Sequence, residues 1–372
     1  MRNTYVEVSL GTIQKNATII KKHCTSGTAI CAVIKADAYG HGMVAVAKAL
    51  AGQVDYFAVA LVTEGKLLRE NGIVTPVLVL AAIDADEIND AILASLTITA
   101  SSTEKLELIA EKGKNLGSIP KVHLKIDTGM GRIGVHFNRA TDFIGRAAEL
   151  HSSGTINCEG IYSHFSDSLD SVYTKLQFDR FMEVITYAKS VGLTPPFLHI
   201  CSSRSIFLYP EYHLSMVRPG IAIYGIEPEV DEQILPSDIQ PALIWKTKVV
   251  YFKVVEQTEP VGYGRKYVPR ESYERIVTLP VGYADGFPRR LSNCGSVIIR
   301  GKIYPVVGGV CMDQCMVSLG SSGEAYVGDE VILLGESGDA EVRATDIARI
   351  IGTASHEITT CISDRVPRIY IK

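Results

Sequence analysis

"AICAVIKADAYGHG", residues 29–42, decides how the rest of the chain is read. Ala29–Ile34 is an apolar run with the look of a buried strand, and it ends in a single lysine, Lys35. A polar, glycine-flanked turn follows, carrying Asp37, Tyr39 and His41. A lysine with a structural role normally lies on a solvated helix face. One at a strand end, among apolar neighbours that lower its pKa, is placed for Schiff-base chemistry. The surrounding sequence must then supply the other strands of the same sheet.

It supplies seven more. "YFAVAL" (56–61), "PVLVLA" (76–81), "LTITAS" (96–101), "KVHLKID" (121–127), "CEGIYSH" (158–164) and "FLHICSS" (197–203) are all short and apolar. "MVRPGIAIYG" is the eighth, extending over 216–225 unless Pro219 and Gly220 stop it at Arg218. Amphipathic helical patterns lie between them, in "MVAVAKALAG", "TEGKLLREN", "STEKLELIAEKG", "ATDFIGRAAEL" and "VYTKLQFDRFMEVITYAKSVG". Strands that are apolar on both faces belong between layers of helix. Eight such βα units predict an α/β fold with an N-terminal (β/α)8 TIM barrel. From about residue 235 the pattern changes to strands and glycine-rich turns: "ALIWKTKVVYFKVV", "ERIVTLPVGYA", "GSVIIRGKIYPVVGGV", "CMVSLG" and "DEVILLG". Only "RATDIARIIG" reads there as a helix. This part is a mainly antiparallel β domain. We therefore expect a barrel over 1–232 and a β domain over 233–372, with the extra strand "YVEVSL" (5–10) joining the β domain.

Composition narrows the class. The chain has 372 residues, 47% of them hydrophobic, enough for a core larger than one typical domain needs. The net charge of −4 comes without a long basic run, which disfavours nucleic acid as a partner. No stretch is apolar for long enough to span a membrane. The N-terminal residues lack the apolar core of a signal peptide, so a cytoplasmic protein is expected, whether whole or the soluble piece of a longer one. The eight cysteines form no C-x-x-C pair and read as reduced, core-type thiols. Cys311 and Cys315 in "CMDQC" have the wrong spacing for zinc and no nearby histidine, so no metal site is expected.

Active sites of such barrels sit at the C-terminal ends of the strands. There the sequence places Lys35, then Asp127 and Arg132 in "DTGMGRIG", His164, Ser202 and Ser203, and Arg218. Each alone has a structural reading; their convergence on one rim is harder to ascribe to chance. Phosphate sites of this fold use the loops after strands seven and eight, where Ser203 and the amides of Gly220 and Ile221 lie. A lysine with a phosphate cradle but no nucleotide motif suggests pyridoxal phosphate. Its pyridine nitrogen usually faces a carboxylate. Here the candidate is Arg218, which does not give up a proton. The electron sink is then weakened, which suits moving one proton and disfavours transamination.

At these residues the chain resembles the alanine racemases, bacterial fold type III pyridoxal-phosphate enzymes, over nearly its whole length. "AVIKADAYGHG" looks like the cofactor-lysine motif. "HLKIDTGMGRIG", "YSHF", "MVRPGIAIYG", "VGYGRKY", "VGYADGFPRR" and "GGVCMDQC" resemble the later blocks in order. The resemblance implies that Lys35 holds the cofactor and is one of two bases. Tyr263 would be the base on the opposite face, supplied by the other subunit of a head-to-tail homodimer with composite sites. His164 would hydrogen-bond Tyr263, and Arg218 would meet the pyridine nitrogen. Arg132 and the backbone of Met312 would meet the substrate carboxylate. Tyr39, Ser203, Gly220 and Ile221 would hold the phosphate. Lys125 matches a lysine carbamylated in some members. Tyr283 resembles a gate residue at the substrate channel, with Asp313 nearby. Two bases suit racemisation, which takes a proton from one face and returns one to the other.

The chain departs from the family at "CISDRVPRIY", where Asp364 replaces a tyrosine that reaches the phosphate and lines the substrate pocket. A smaller acceptor there enlarges the pocket and offers a partner to a hydroxyl. The serine racemases of vancomycin-resistance systems also lack this tyrosine. The expectation is racemisation of alanine and of serine, supplying D-amino acids for peptidoglycan; the plainer reading leaves Asp364 in solvent and alanine as substrate. Gly309 also stands where many members have an arginine, and "SDSLD" follows "SHF". Other readings are a racemase for ornithine or lysine, a decarboxylase, a non-catalytic pyridoxal-phosphate carrier, and a structural protein without cofactor. Decarboxylases of this plan place a glutamate at the pyridine nitrogen, so Arg218 speaks against them.

Overall fold

The computed structural model describes residues 3–372, and the chain divides into two compact units. One comprises Gln14–Ala38 and Met43–Ile223; the other takes the chain up to Ile13, the short piece Tyr39–Gly42, and Tyr224–Lys372.

The first unit is a nearly closed parallel barrel. Its strands, in chain order, are Ala29–Val33, Tyr56–Val59, Val77–Val79, Thr97–Ala100, Lys121–Asp127, Asn157–Tyr162, Phe197–His199 and Met216–Val217. Each pairs in parallel with the next up to the seventh, and the eighth pairs with the first. Between the seventh and eighth, Arg218 N donates to Cys201 O at 3.0 Å and Ser215 N to Leu198 O at 3.2 Å. All eight expected strands are present. The last is shorter than the longest reading: it ends at Val217, and Ile221–Tyr224 forms a 3-10 turn. Proline cannot donate to a ladder, so Pro219 ends the pairing.

The helices follow apolar periodicity. Ala140–Ser152 buries Ala140, Phe143, Ile144, Ala147, Ala148 and Leu150, a stripe at helical spacing. Ser102 caps Thr103–Asn115 by accepting from Lys105 N, and Asp170 caps Ser171–Ser190 by accepting from Tyr173 N. Three further helices, Glu87–Leu93 and Ser203–Leu208 in the barrel and Leu10–His23 after the first strand of the chain, escaped the sequence reading.

The second unit is a mainly antiparallel sheet. Its order is Tyr251–Glu256, Tyr273–Leu279, Cys315–Ser318, Lys302–Val307, Ser296–Ile299, Glu330–Ser337, Leu243–Lys248, Tyr5–Ser9 and Arg368–Ile371. Tyr5–Ser9 pairs antiparallel with Leu243–Lys248 and parallel with Arg368–Ile371. "GSVIIRGKIYPVV" is a tight hairpin: Arg300 and Gly301 both have positive φ, at 50° and 72°. That conformation matches the twist of the flanking strands. Besides the expected helix Ala344–Ile351, Ser355–Thr360 is also helical. The cysteines are less uniformly buried than expected. Cys31, Cys158, Cys201 and Cys315 are buried, whereas Cys294 and Cys361 are exposed. Among the described residues no three His, Cys, Asp or Glu side chains are gathered as metal ligands, and no helix is long and apolar enough to cross a membrane.

Gly160 shows how tightly the barrel interior is filled. A Cβ there would lie 2.7 Å from the ring of His123, which is fully buried on the neighbouring strand. The ring cannot retreat without disturbing its own partners. Gly160→Ala is therefore an overpacking change costing about 1–3 kcal/mol. We expect a thermal midpoint lowered by several degrees with the far-ultraviolet circular dichroism unchanged.

Candidate active site

The backbone after the first barrel strand is unusual. Ala36, Asp37, Ala38 and Tyr39 all have positive φ, at 52°, 51°, 54° and 56°. None is glycine, so the expected turn is a left-handed helical turn. Such a conformation costs L-residues roughly 1–2 kcal/mol each. Specific bonds hold it. Ala38 N donates to Ile34 O at 2.9 Å, Ala36 N to Glu64 Oε1 at 2.7 Å, and Met43 N to Asp37 Oδ1 at 2.7 Å. Strain maintained by the surroundings clusters at functional positions. Lys35 opens this turn and is half-buried. Burial is the main cause that lowers its pKa; the charge of Arg132 adds to the effect and Glu64 opposes it.

Arg218 is 3% exposed and sits where the eighth strand stops. Its Nη1 donates to His199 Nδ1 at 2.7 Å, and its Nη2 to His164 Nδ1 at 2.9 Å and to the carbonyls of Ser163 and Ile200 at 2.8 and 3.2 Å. A guanidinium only donates, so Nδ1 of both histidines is unprotonated and each carries its proton on Nε2. His199 therefore donates from Nε2 to His123 Nδ1, 2.9 Å away. Burial, then the charge of Arg218, pushes the pKa of His164 and His199 well below the ordinary value and that of His123 down to about 3. All three are neutral.

Lys125 on the fifth strand is 3% exposed, with Nζ donating to Ile126 O at 2.9 Å and lying 5.1 Å from the Tyr162 ring centre. Burial, followed by Arg218, lowers its pKa to about 7. The loop beyond is shaped by Asp127. Its Oδ1 accepts from the amides of Gly129, Met130 and Gly131 at 3.0, 2.9 and 3.1 Å. This folds the chain so that exposed Arg132 lies within electrostatic reach of Lys35, His164 and Arg218.

Ser203 Oγ accepts from Gly220 N at 2.9 Å and Ala222 N at 3.2 Å. Gly220 is thus engaged with Ser203, while the hydroxyl proton of Ser203 and the intervening Ile221 amide take no part in that pair of bonds. The barrel thus brings together Lys35, Lys125, Arg132, His164, Ser203, Arg218, Gly220 and Ile221. The remaining predicted site residues belong to the other unit. Tyr39 lies 5.2 Å, ring to ring, from Tyr224, and burial raises its pKa to about 12. Tyr263 is 79% exposed, between Gly262 and Gly264 at φ 75° and 73°. Met312, Asp313, Tyr283 and Asp364 are on three loops stitched together. Ala284 N donates to Met312 O at 3.0 Å, Ser363 Oγ to Ala284 O at 2.9 Å, and Arg365 Nη2 to Asp313 Oδ1 at 2.7 Å. Asp364 is exposed and makes no hydrogen bond or ion pair among the described residues.

Sequence reasoning missed His199, His123 and Glu64. The histidines lie inside strands and look like core; Glu64 looks like an ordinary first-turn helix acid. Together the rim offers a permanent cation, neutral bases, an amine shifted toward its free-base form, and unspent donors for an anion.

Residues 8–228 match the family model described as Alanine racemase, N-terminal domain, and residues 242–370 match Alanine racemase, C-terminal domain. The alanine racemase of Halothermothrix orenii is 40% identical over 99% of this chain and 97% of its own length. Alanine racemase 2 of Caldanaerobacter subterraneus is 42% identical, covering 100% of this chain and 95% of that relative. The crystal structure of alanine racemase from Bacillus anthracis with bound L-Ala-P superposes with a TM-score of 0.92 at 36% identity, covering 100% of this chain and 96% of that one. The enzyme from Streptomyces coelicolor gives 0.94 at 31% identity, covering 100% and 98%.

Lys125 makes stability depend on pH. Its folded pKa, about 7, lies below the ordinary lysine value of 10.5. The unfolded chain therefore binds more protons between these values, and this contribution is full above pH ~10.5 and lost as pH falls through 7. Lys125→Met abolishes it. In bicarbonate-free buffer, the midpoint of the variant should exceed that of the native chain most below pH 7, with the gap closing toward pH 10.

Proposed function

The chain belongs to the alanine racemase family, and from that membership we propose that it interconverts L- and D-alanine, and L- and D-serine with them, on a pyridoxal 5′-phosphate held at the barrel rim. It is an isomerase of the alanine racemase type. When bound, the cofactor supplies the electron sink that makes the α-hydrogen of an amino acid acidic. The donor set fits it. Lys35 provides the amine. Ser203 has a hydroxyl proton to give the phosphate, Tyr39 and the Ile221 amide complete the cradle, and Gly220 shapes the loop through Ser203. Arg218 keeps its Nε–H outside the four bonds described above, available to a ring nitrogen.

The observation that carries the reading is the setting of Arg218. A buried guanidinium donating to two neutral histidines and two carbonyls cannot hand a proton onward. A ring nitrogen facing it stays unprotonated, which limits the chemistry to reversible proton movement. Lys35 takes or returns the proton on one face. Tyr263 of the partner subunit in a homodimer does so on the other. His164, with Nδ1 occupied by Arg218, presents Nε2–H, a donor that favours a deprotonated tyrosine oxygen. Arg132 and the backbone of the partner subunit's Met312 orient the substrate carboxylate, and Tyr283 and Asp313 line the channel. The Lys125 amine, with its pKa lowered to about 7, is about half in the free-base form near pH 7, and that form adds to carbon dioxide with loss of one proton. The carbamate formed is an anion among Arg132 and Arg218. We place the enzyme in the cytoplasm, supplying D-amino acids for peptidoglycan.

The serine activity rests on Asp364 standing where the family has a tyrosine, a smaller side chain with acceptor oxygens; its exposure in the single chain is what the alanine-only reading expects, so the relative rates decide. The test is the rate of racemisation of L-alanine, L-serine and L-ornithine by the purified holoenzyme, with deuterium incorporation at the α-carbon. A serine rate comparable to that of alanine is expected. Asp364→Tyr should lower the serine-to-alanine ratio about tenfold, the value of one hydrogen bond. Turnover of alanine alone, or an unchanged ratio, refutes the serine assignment. Dominant ornithine turnover means that Asp364 reads a cation.

A further inference from the structure

Glu64 lies in the first turn of the helix Val62–Glu70, which follows the second barrel strand. Its Oε2 accepts from Ala60 N at 2.8 Å and Leu61 N at 3.0 Å. That is ordinary work for a carboxylate at a helix start, where the amides lack partners. Its Oε1 does something else. It accepts from Ala36 N at 2.7 Å, across to the peptide immediately after Lys35. One side chain thus ties the ends of two adjacent barrel strands, and the tied backbone is the first residue of the left-handed turn.

That turn needs such a tie. Ala36–Tyr39 contains no glycine to relieve positive φ. Ala38 N is satisfied by Ile34 O, and Asp37 Oδ1 fixes the far end through Met43 N. At the near end, Glu64 is the acceptor for Ala36. Without it, the strained backbone is free to relax at the point where it sets the direction of the Lys35 side chain.

We propose that Glu64 is a positioning residue for Lys35, its carboxylate holding the strained lysine turn against the second barrel strand while its charge balances that of Arg132 at the amine. This rests on Lys35 being the cofactor lysine. Only a carboxylate accepts at both oxygens. Glutamine accepts at one and turns an NH2 group toward the other amide, so it loses a tie and the charge together. Aspartate keeps the charge but is too short by one methylene to span both strands.

The cofactor-free protein tests this. Competitive acetylation across pH 6–11, read by peptide mass spectrometry, gives the titration midpoint of Lys35. Hydrogen exchange of residues 34–40 reports the hold on the turn. In Glu64→Gln the midpoint should fall by roughly half to one pH unit, since removing a nearby anion disfavours the charged amine. Exchange should rise about tenfold, a loss of ~1.4 kcal/mol of local protection, with the other strands unchanged. Glu64→Asp should keep the midpoint and show the raised exchange. Faster exchange with an unmoved midpoint in Glu64→Gln makes Glu64 an ordinary helix cap and overturns the proposal; so does a shifted midpoint with unchanged exchange, or no change in either. If Glu64→Gln does not fold, unchanged exchange in Glu64→Asp overturns it. The assignment of Lys35 is tested separately: Lys35→Ala should show no visible absorption band with pyridoxal phosphate, whatever Glu64 does.

Discussion

Arg218 can only donate hydrogen bonds, and the tautomers of the buried histidines around it follow from that. Four acceptors hold its guanidinium: Nδ1 of His164 and His199, and the carbonyls of Ser163 and Ile200. Each histidine is thereby fixed in one tautomer. The remaining N–H of His199 is spent on His123, and His123 Nε2 is left buried without a partner. Burial, and after it this permanent cation, discourages further positive charge nearby. Lys125 and the three histidines all respond in that direction. Three neutral histidines thus lie around one buried guanidinium whose charge never leaves.

The barrel was legible in the sequence because its strands are buried on both faces. Runs such as "AICAVI" and "PVLVLA" contain no polar position to confuse the count. Where burial stopped being the determinant, legibility stopped too. "MVRPGIAIYG" is apolar apart from Arg218, yet the strand is only Met216–Val217 with one further bridge at Arg218, because Pro219 withdraws a donor that apolarity does not register. "ALIWKTKVVYFKVV" reads as one strand but is two, Leu243–Lys248 and Tyr251–Glu256, which lie in different parts of the sheet. "SHEITT" is short and rich in β-branched residues, so local propensity argues against the helix that it forms.

The site was legible where a rule ties chemistry to position. Strand ends alone point to Lys35, Arg132, His164, Ser203 and Arg218. The left-handed turn was not legible, since alanine and tyrosine have no preference for positive φ; it is imposed by Glu64 and Asp37 from outside the strained peptides. His199 was missed for a related reason. A histidine inside a strand looks like core, and only the approach of Arg218 gives it a task. Tyr263 carries no local signal of its own. Resemblance alone singled it out, although its high exposure between two positive-φ glycines is what a residue presented to another surface would have.

The loops that carry Met312, Tyr283 and Asp364 show how one side chain can change without cost to the scaffold. Both neighbours of Asp364 are anchored. Ser363 donates to Ala284 O and receives no help from residue 364; Arg365 pairs with Asp313 at 2.7 Å and faces the fully buried Asp285 at 3.5 Å. The backbone of the Ser363–Val366 turn closes on itself through Val366 N and Ser363 O. Residue 364 therefore projects from a turn that is fixed by everything except its own side chain. None of these bonds uses the side chain at 364, so the turn makes no demand on its identity. The rim of the barrel has no such freedom, because each of its charged groups sets the protonation of another. The side chain at 364 can thus change without disturbing the bonds that Arg218 makes with His164 and His199.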